Sequence, residues 1–193
     1  MHGSTLTHSR FARPVLGVCA ALLVLAHAPW SGRAFAGETG TADLRGVQAA
    51  FVVNFLAFAE WPAAKLGPSP AGLIVAVIGD PDLAAQIAAA VAGRQIGGRP
   101  VSVRTVARAD AARDAHLVFI GESEAARLPG ILRDLATASV LTVGSTDGFA
   151  REGVALNLYT VDRRVRIEAN STAAARAGIR INANLMRLAR IVE

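Results

Sequence analysis

Residues Leu73–Gly93 read LIVAVIGDPDLAAQIAAAVAG, and this stretch decides the fold. Its first six residues form an apolar run of strand length that ends at Gly79. Asp80 and Pro81 then supply the N-cap and the first position of a helix, because an aspartate side chain accepts a hydrogen bond from the free N–H groups and proline lacks an N–H. The last glycine ends the helix. The stretch therefore predicts a strand followed at once by a helix.

The same alternation continues toward the C-terminus. Strands are predicted at Val101–Thr105, Ala115–Ile120 and Val140–Val143. A helix, kinked near Pro129, is predicted over Ser123–Ala138. Because strands that alternate with helices favour parallel pairing, we expect a single α/β domain. Its central sheet should be mostly parallel, with helices on both faces and a C-terminal hairpin followed by further helices.

A helix is predicted upstream of this region over residues 41–62, where Pro62 ends it. Phe51, Phe55 and Phe58 recur at spacings of four and three, which places them on one face of the helix. Such a face packs on a core, and an exposed face of this kind would suit a dimer or a partner helix.

A hairpin is predicted near the C-terminus, with its turn at Asp162-Arg163. In its second strand the residues predicted to face inward are Val165, Ile167 and Ala169. The residues predicted to face outward are Arg164, Arg166 and Glu168. A short helix capped by Asn170 or Ser171 follows, and Ala183–Val192 is predicted to be a final helix.

The first 36 residues differ in kind from the rest of the chain. Residues 1–13 carry two arginines and no acid, Val15–Ala28 is a continuous apolar run, and Ala34–Ala36 has the small residues of a cleavage site. This is the pattern of a secretory signal peptide, and the apolar run falls short of the roughly 20 residues that a membrane-spanning helix needs. We expect cleavage after Ala36, which leaves residues 37–193 as a domain in the periplasm. An uncleaved membrane anchor is the alternative.

Composition removes several classes of function. Without the leader's three arginines, 17 of the 20 basic residues remain against 15 acidic ones, so the mature chain has no basic excess of the kind that binds nucleic acid. The single cysteine, Cys19, lies in the leader, so we expect no disulfide and no thiolate. Paired acids such as Glu122 and Glu124 are explained as helix caps without a metal ion. No cofactor is expected.

Two kinds of chemistry stay open at the ends of the predicted strands. A hydrolase would need Ser145 as nucleophile and His116 as base, although the sequence around this serine is not G-x-S-x-G. A small-molecule receptor would use the carboxyl ends of the parallel strands. The candidate ligand residues there are Asp80, Glu122, Ser145 and Asp147. The glycines of the loop after Val143 match no phosphate-binding motif, so they are expected only to permit turns.

Several blocks, taken in order, resemble the YfiR family of exported bacterial proteins. They are AAFVVNFLAFAEWP, VLTVGSTDGFAREGVALNLY and VRIEANSTAAARAGIRINANLMRLA, and the likeness runs from Val47 to Ala189. The resemblance implies a periplasmic α/β domain without enzymatic activity. It implies that this domain restrains an inner-membrane diguanylate cyclase, which lowers cyclic-di-GMP signalling and biofilm formation, and that it can form a homodimer. Relatives with disulfides use cysteines that this chain lacks, so the resemblance does not extend to redox control through them.

A protein that restrains an inner-membrane sensor, whether a diguanylate cyclase or a kinase, needs a contact surface. Aromatic and arginine side chains are the expected anchors of such a surface. Trp61, at the predicted end of the first helix, is the first candidate. The other candidates are Phe55, Phe58, Glu60, Arg164 and Arg166.

Overall fold

The computed structural model describes residues 38–68, 71–162 and 164–193, with side chains from Leu44 onward. The predicted signal peptide, residues 1–36, and Arg163 of the predicted hairpin turn lie outside the described residues.

Six helices and ten strands make up the described part of the chain. The α-helices are α1 (Glu38–Phe58), α2 (Ala63–Leu66), α3 (Pro81–Val91), α4 (Leu128–Leu135), α5 (Ser171–Arg176) and α6 (Ala183–Leu188). Short 3-10 helices span Ala109–Ala112 and Glu122–Arg127. The strands are β1 (Ala59–Glu60), β2 (Leu73–Ile78), β3 (Gln95–Ile96), β4 (Arg99–Thr105), β5 (Leu117–Ile120), β6 (Leu141–Gly144), β7 (Leu156–Val161), β8 (Arg164–Asn170), β9 (Arg180–Ile181) and β10 (Ala189–Val192).

Eight of these strands form the central sheet, in the order β10-β8-β7-β6-β5-β2-β4-β3. Five neighbouring pairs are parallel, and the pairs β7–β8 and β3–β4 are antiparallel. Strands β1 and β9 form a separate antiparallel pair. The predicted fold, a mostly parallel sheet closed by a C-terminal hairpin, is confirmed.

The stretch that decides the fold behaves as its residues predict. Strand β2 is almost entirely buried, and Asp80 Oδ1 accepts a hydrogen bond from the Leu83 backbone N–H at 2.9 Å. Gly93 has a φ of +68° just beyond the last turn of α3, a conformation that glycine adopts at little cost.

Apolar side chains form a core on each face of the sheet. Helices α1 and α3 cover one face, where Phe55, Leu83 and Phe119 are fully buried. Helix α4 and the loop after β6 cover the other face, where Leu128 and Phe149 are buried. Helices therefore lie on both faces, as predicted.

The structure corrects three of the predicted helices. Helix α1 ends at Phe58, because the next two residues pair as β1 with β9. The helix predicted at Ser123–Ala138 is a 3-10 helix followed by α4. Pro129 lies in the first turn of α4, where a missing N–H is harmless, so it begins the helix and does not kink it. The last predicted helix stops at Leu188, because the open edge of β8 offers backbone partners to β10.

Candidate functional site

Trp61 lies at the amino end of the parallel strands and is only 8 % exposed. Its Nε1 donates a hydrogen bond to the His116 carbonyl at 2.9 Å, and the two rings meet edge to face with their centroids 5.8 Å apart. The indole thus joins the end of α1 to the sheet. Trp61 therefore offers little surface in this conformation, and its role as the leading partner contact stays a prediction.

The other predicted contacts near α1 differ in exposure. Phe55 is fully buried in the core, so it too is unavailable to a partner. Phe58 is half-buried and packs against the same core. Glu60 is exposed and already pairs with Arg180, whose Nη2 lies 2.9 Å from Glu60 Oε2. This end of the molecule therefore serves mainly to attach α1.

Ser145 and His116 lie at opposite ends of the sheet, so they form no catalytic pair. His116 precedes β5, whereas Ser145 follows β6, and the register pairs Ile120 with Gly144. Five residue steps along the strands separate the levels of His116 and Ser145, or about 16 Å at roughly 3.3 Å per residue. His116 Nδ1 also accepts a hydrogen bond from the Ile74 backbone N–H at 3.1 Å. Burial lowers the pKa of His116 below its ordinary value, and the charge of Lys65 lowers it further.

The carboxyl ends of β2, β5 and β6 meet at one edge, but protein atoms fill the crevice between them. A Cβ on Gly121 would lie 2.7 Å from the Gly79 carbonyl oxygen, and one on Gly144 would lie 2.7 Å from the Phe149 ring. Ser123 Oγ donates a hydrogen bond to the Gly79 carbonyl at 3.0 Å. The glycines at these strand ends therefore serve close packing. Phe149, which belongs to the loop after β6, is buried.

The four predicted ligand residues sit at this same edge, on three separate connections. Asp80 caps α3 and lies 3.9 Å from Arg45. Glu122 is exposed at the start of a 3-10 helix. Ser145 is half-buried and Asp147 is exposed, both in the loop that follows β6. The structure places none of the four in the filled crevice.

A cavity of about 380 Å³ lies next to that edge, between the 3-10 helices and α4. Apolar residues form part of its wall, and its charged lining residues are Arg108, Glu124, Arg127 and Asp134. The buried Glu124 carboxylate has Arg127 Nη2 2.5 Å from its Oε2. The contact is an ion pair. The cavity is large enough for a small polar molecule, but none of the four predicted ligand residues lines it.

The exposure of Glu168 differs from the prediction. The alternation along β8 predicts that Glu168 faces outward, yet its side chain is 0 % exposed. Its carboxylate accepts hydrogen bonds from Arg190 of β10 and, at 3.2 Å, from Asn157 of β7. Burial alone would raise the pKa of Glu168, but these hydrogen bonds and the charges of Arg190 and Arg151 outweigh burial, so its pKa is lowered. The guanidinium of Arg190 also lies 4.6 Å from the centroid of the Tyr159 ring.

A second buried polar residue, Asn170, joins two parts of the chain. Its Oδ1 caps α5 by accepting from the Ala173 N–H at 2.8 Å. Its Nδ2 donates to the Ala150 carbonyl in the loop after β6, also at 2.8 Å. Glu168 and Asn170 both belong to the VRIEAN block, so this block holds β8, β10 and the loop together.

The tip of the β7–β8 hairpin projects beyond its neighbours. Strand β6 pairs with β7 only through Leu156 and Asn157, and β10 pairs with β8 only from Ile167 onward. Arg164 and Arg166 lie on this tip and are exposed, as predicted.

The described side chains form no group of three His, Cys, Asp or Glu residues able to hold a metal ion. Within the described ranges, each helix is too short or too polar to cross a bilayer.

The sequence of residues 45–190 matches the YfiR/HmsC-like family. This chain belongs to the YfiR/HmsC-like family. Members of the family are periplasmic regulatory proteins. No curated protein matches the sequence significantly.

Two solved structures resemble this YfiR/HmsC-like chain. A conserved domain protein from Vibrio cholerae O1 biovar El Tor superposes with a TM-score of 0.55 at 11 % identity, covering 77 % of this chain and 60 % of that one. A Streptococcus pneumoniae ABC domain in complex with L-Trp gives a TM-score of 0.47 at 11 % identity, covering 66 % of this chain and 57 % of that one. The first likeness shows a shared α/β fold and no more.

Proposed function

We propose that this protein is a periplasmic regulator that binds an inner-membrane sensor, a diguanylate cyclase, and restrains it. The observation that carries the proposal is the family match over residues 45–190. Restraint of the cyclase would lower cytoplasmic cyclic-di-GMP. The export signal predicted in residues 1–36 is consistent with this role, because it would deliver the domain to the sensor's periplasmic side.

The geometry favours binding over catalysis. Ser145 and His116 lie at opposite ends of the sheet, and the acids at the strand ends are occupied in caps or stand apart. A protein of this kind acts through its surface. Glu60, Arg164 and Arg166 are the predicted contact residues that are exposed, and Glu60 already pairs with Arg180. The proposed activity is therefore non-enzymatic.

Deletion of the gene tests the regulatory role. We expect the cyclic-di-GMP level and the biofilm mass to rise in the deletion strain. Both should return to their wild-type values when the full-length chain is supplied. A chain without residues 1–36 should fail to restore them, because it stays in the cytoplasm. An unchanged cyclic-di-GMP level in every growth condition would contradict the proposal.

A binding measurement distinguishes direct contact with the cyclase from an indirect effect on its output. The purified periplasmic domain of the cyclase whose output rises on deletion should bind the exported protein in calorimetry. Sedimentation of the exported protein alone would show whether it is also the homodimer that we propose. Loss of the cyclic-di-GMP effect in a strain without that cyclase would identify the same partner genetically.

The cavity beside Glu124 supports a second candidate, a periplasmic receptor for a small molecule. Its mixed charges and apolar wall suit a polar ligand. A thermal-shift screen with amino acids and nucleotides tests this candidate, because a ligand at 100 times its Kd stabilises the folded state by about 2.7 kcal/mol. The shift should disappear in Glu124→Gln, and a shift retained in that variant would place the ligand elsewhere.

A further inference from the structure

The end of the β7–β8 hairpin extends beyond the strands that flank it. We call it the hairpin arm and define it as residues 159–161 and 164–166. These residues pair only with one another, because β6 and β10 both end before them. Val165 packs against the core from one face of the arm, so only the opposite face is open to something outside the molecule.

One face of the hairpin arm combines cationic, aromatic and aliphatic side chains. In the antiparallel register Val161 lies opposite Arg164 and Tyr159 lies opposite Arg166. Residues that lie directly opposite each other share a face of the sheet, so these four side chains form a single surface. Val161 is 47 % exposed.

The charges of this surface are not neutralised by the protein. Among the described residues, neither Arg164 nor Arg166 has a salt bridge or a side-chain hydrogen bond. Arg190 on the adjoining strand differs, since it is paired with the buried Glu168. Asp162, in the turn next to the arm, is an exposed acid. The hairpin arm therefore suits an anionic binding partner.

The size and composition of the hairpin arm favour lipid over protein. A stable protein interface uses about 20–30 residues on each side, and the arm offers far fewer. Arginine, tyrosine and an exposed aliphatic side chain on one surface are the residues that settle at the boundary between lipid headgroups and acyl chains. Anionic headgroups attract such basic segments within about a Debye length.

We propose that the hairpin arm binds the anionic phospholipid surface of a membrane. Arg164 and Arg166 contact lipid phosphates, and Val161 and Tyr159 enter the headgroup region. This contact goes beyond the regulatory role and does not require the cyclase. It would hold the protein beside the membrane in which a sensor lies, which raises its local concentration there.

Vesicle flotation with the purified exported protein tests the proposal at low ionic strength. We expect binding to phosphatidylglycerol vesicles, none to phosphatidylcholine vesicles, and release by added salt. The double variant Arg164→Gln, Arg166→Gln should lower the partition coefficient about 25-fold, at roughly fivefold for each arginine. Val161→Ser should lower it further without altering the salt dependence.

The matched control removes the same charge from exposed arginines elsewhere, in Arg94→Gln, Arg176→Gln. This control should bind phosphatidylglycerol vesicles as the wild type does. Absence of binding to phosphatidylglycerol, or an equal loss in the control, would overturn the proposal. The proposal would also be overturned if the wild type bound no vesicles and the Arg164, Arg166 variant lost binding to the cyclase. That result would mean that the arm binds an acidic protein surface. Because the vesicles contain no protein, this test fails independently of the proposed regulatory function.

Discussion

Asn170→Ala offers the sharpest test of how the polar cluster stabilises the fold. Asn170 is 6 % exposed and makes two bonds with its side chain, one to the Ala173 N–H and one to the Ala150 carbonyl. The first caps a helix, and the second holds a loop that is 20 residues distant in sequence. Alanine removes both bonds and leaves the backbone conformation available.

The expected loss follows from these two bonds. Removal of an Asn cap costs about 1 kcal/mol of folding free energy. The bond to the Ala150 carbonyl contributes about 1 kcal/mol more. The loss stays at that level because the Gly153 N–H still donates to the same carbonyl, at 3.2 Å, so no buried acceptor is left unpaired. We therefore expect the free energy of unfolding to fall by about 2 kcal/mol and Tm to fall by about 4–8 °C.

Asn182→Ala is the matched control, because Asn182 also caps a helix through its Oδ1 but is exposed and makes no loop bond. It should cost only about 0.5–1 kcal/mol. Asn170→Asp keeps the cap and loses the donor, so it should separate the two contributions. Urea unfolding measures all three variants with the m-value held constant. Equal losses in Asn170→Ala and Asn182→Ala, or wild-type stability in Asn170→Asp, would refute the reasoning.

Three further expectations concern the buried ionisable groups and the strand-end glycines. The lowered pKa of Glu168 contributes stability that is present above about pH 4.3 and is lost as the pH falls through the folded-state pKa. The stability of Glu168→Gln, measured by unfolding from pH 7 to 3, should lack that loss in acid. If the variant loses stability in parallel with the wild type, the assignment to Glu168 is wrong. The lowered pKa of His116 means that the folded state favours the neutral ring, so the free energy of unfolding should decline as the pH falls below about 6.5. His116→Asn, which can still accept a hydrogen bond from the Ile74 N–H, should remove this pH dependence. An unaltered pH dependence in the variant would show that another group causes it. Gly121→Ala should lower the free energy of unfolding by about 1–3 kcal/mol, because the added Cβ clashes with the Gly79 carbonyl. Gly46→Ala should raise it by about 0.5–1 kcal/mol, because Gly46 lies within helix α1 and its added Cβ meets no other atom. Denaturant midpoints of the two variants that shift in the same direction would contradict the packing argument.

Most of the fold could be predicted, because its signals are local. The cap at Asp80, the stop at Gly93 and the apolar runs of the buried strands each depend on a few adjacent residues. Their order along the chain then indicates parallel pairing. Even the hairpin with its turn at Asp162 is predicted from two strand-forming runs, of which the second alternates.

The candidate site was predicted less well, because exposure is not a local property. Arg164 and Arg166 are exposed as expected, whereas Trp61 and Phe55 are buried by the sheet beneath α1. Alternation along β8 gave Glu168 the correct face, but that face is covered by Arg190 from a strand predicted to be helix. Glu168 and Asn170 stand two residues apart in the VRIEAN block, so they lie on the same face of β8, and both are buried.

The sequence by itself determined where strands and helices begin, because capping, chain stiffness and apolar periodicity act over a few residues. Only the tertiary structure decided which of their faces meet water. Burial of Glu168, closure of the glycine crevice and projection of the hairpin arm all depend on residues far apart in the chain. Their positions follow from packing and strand register, which no short stretch of sequence contains.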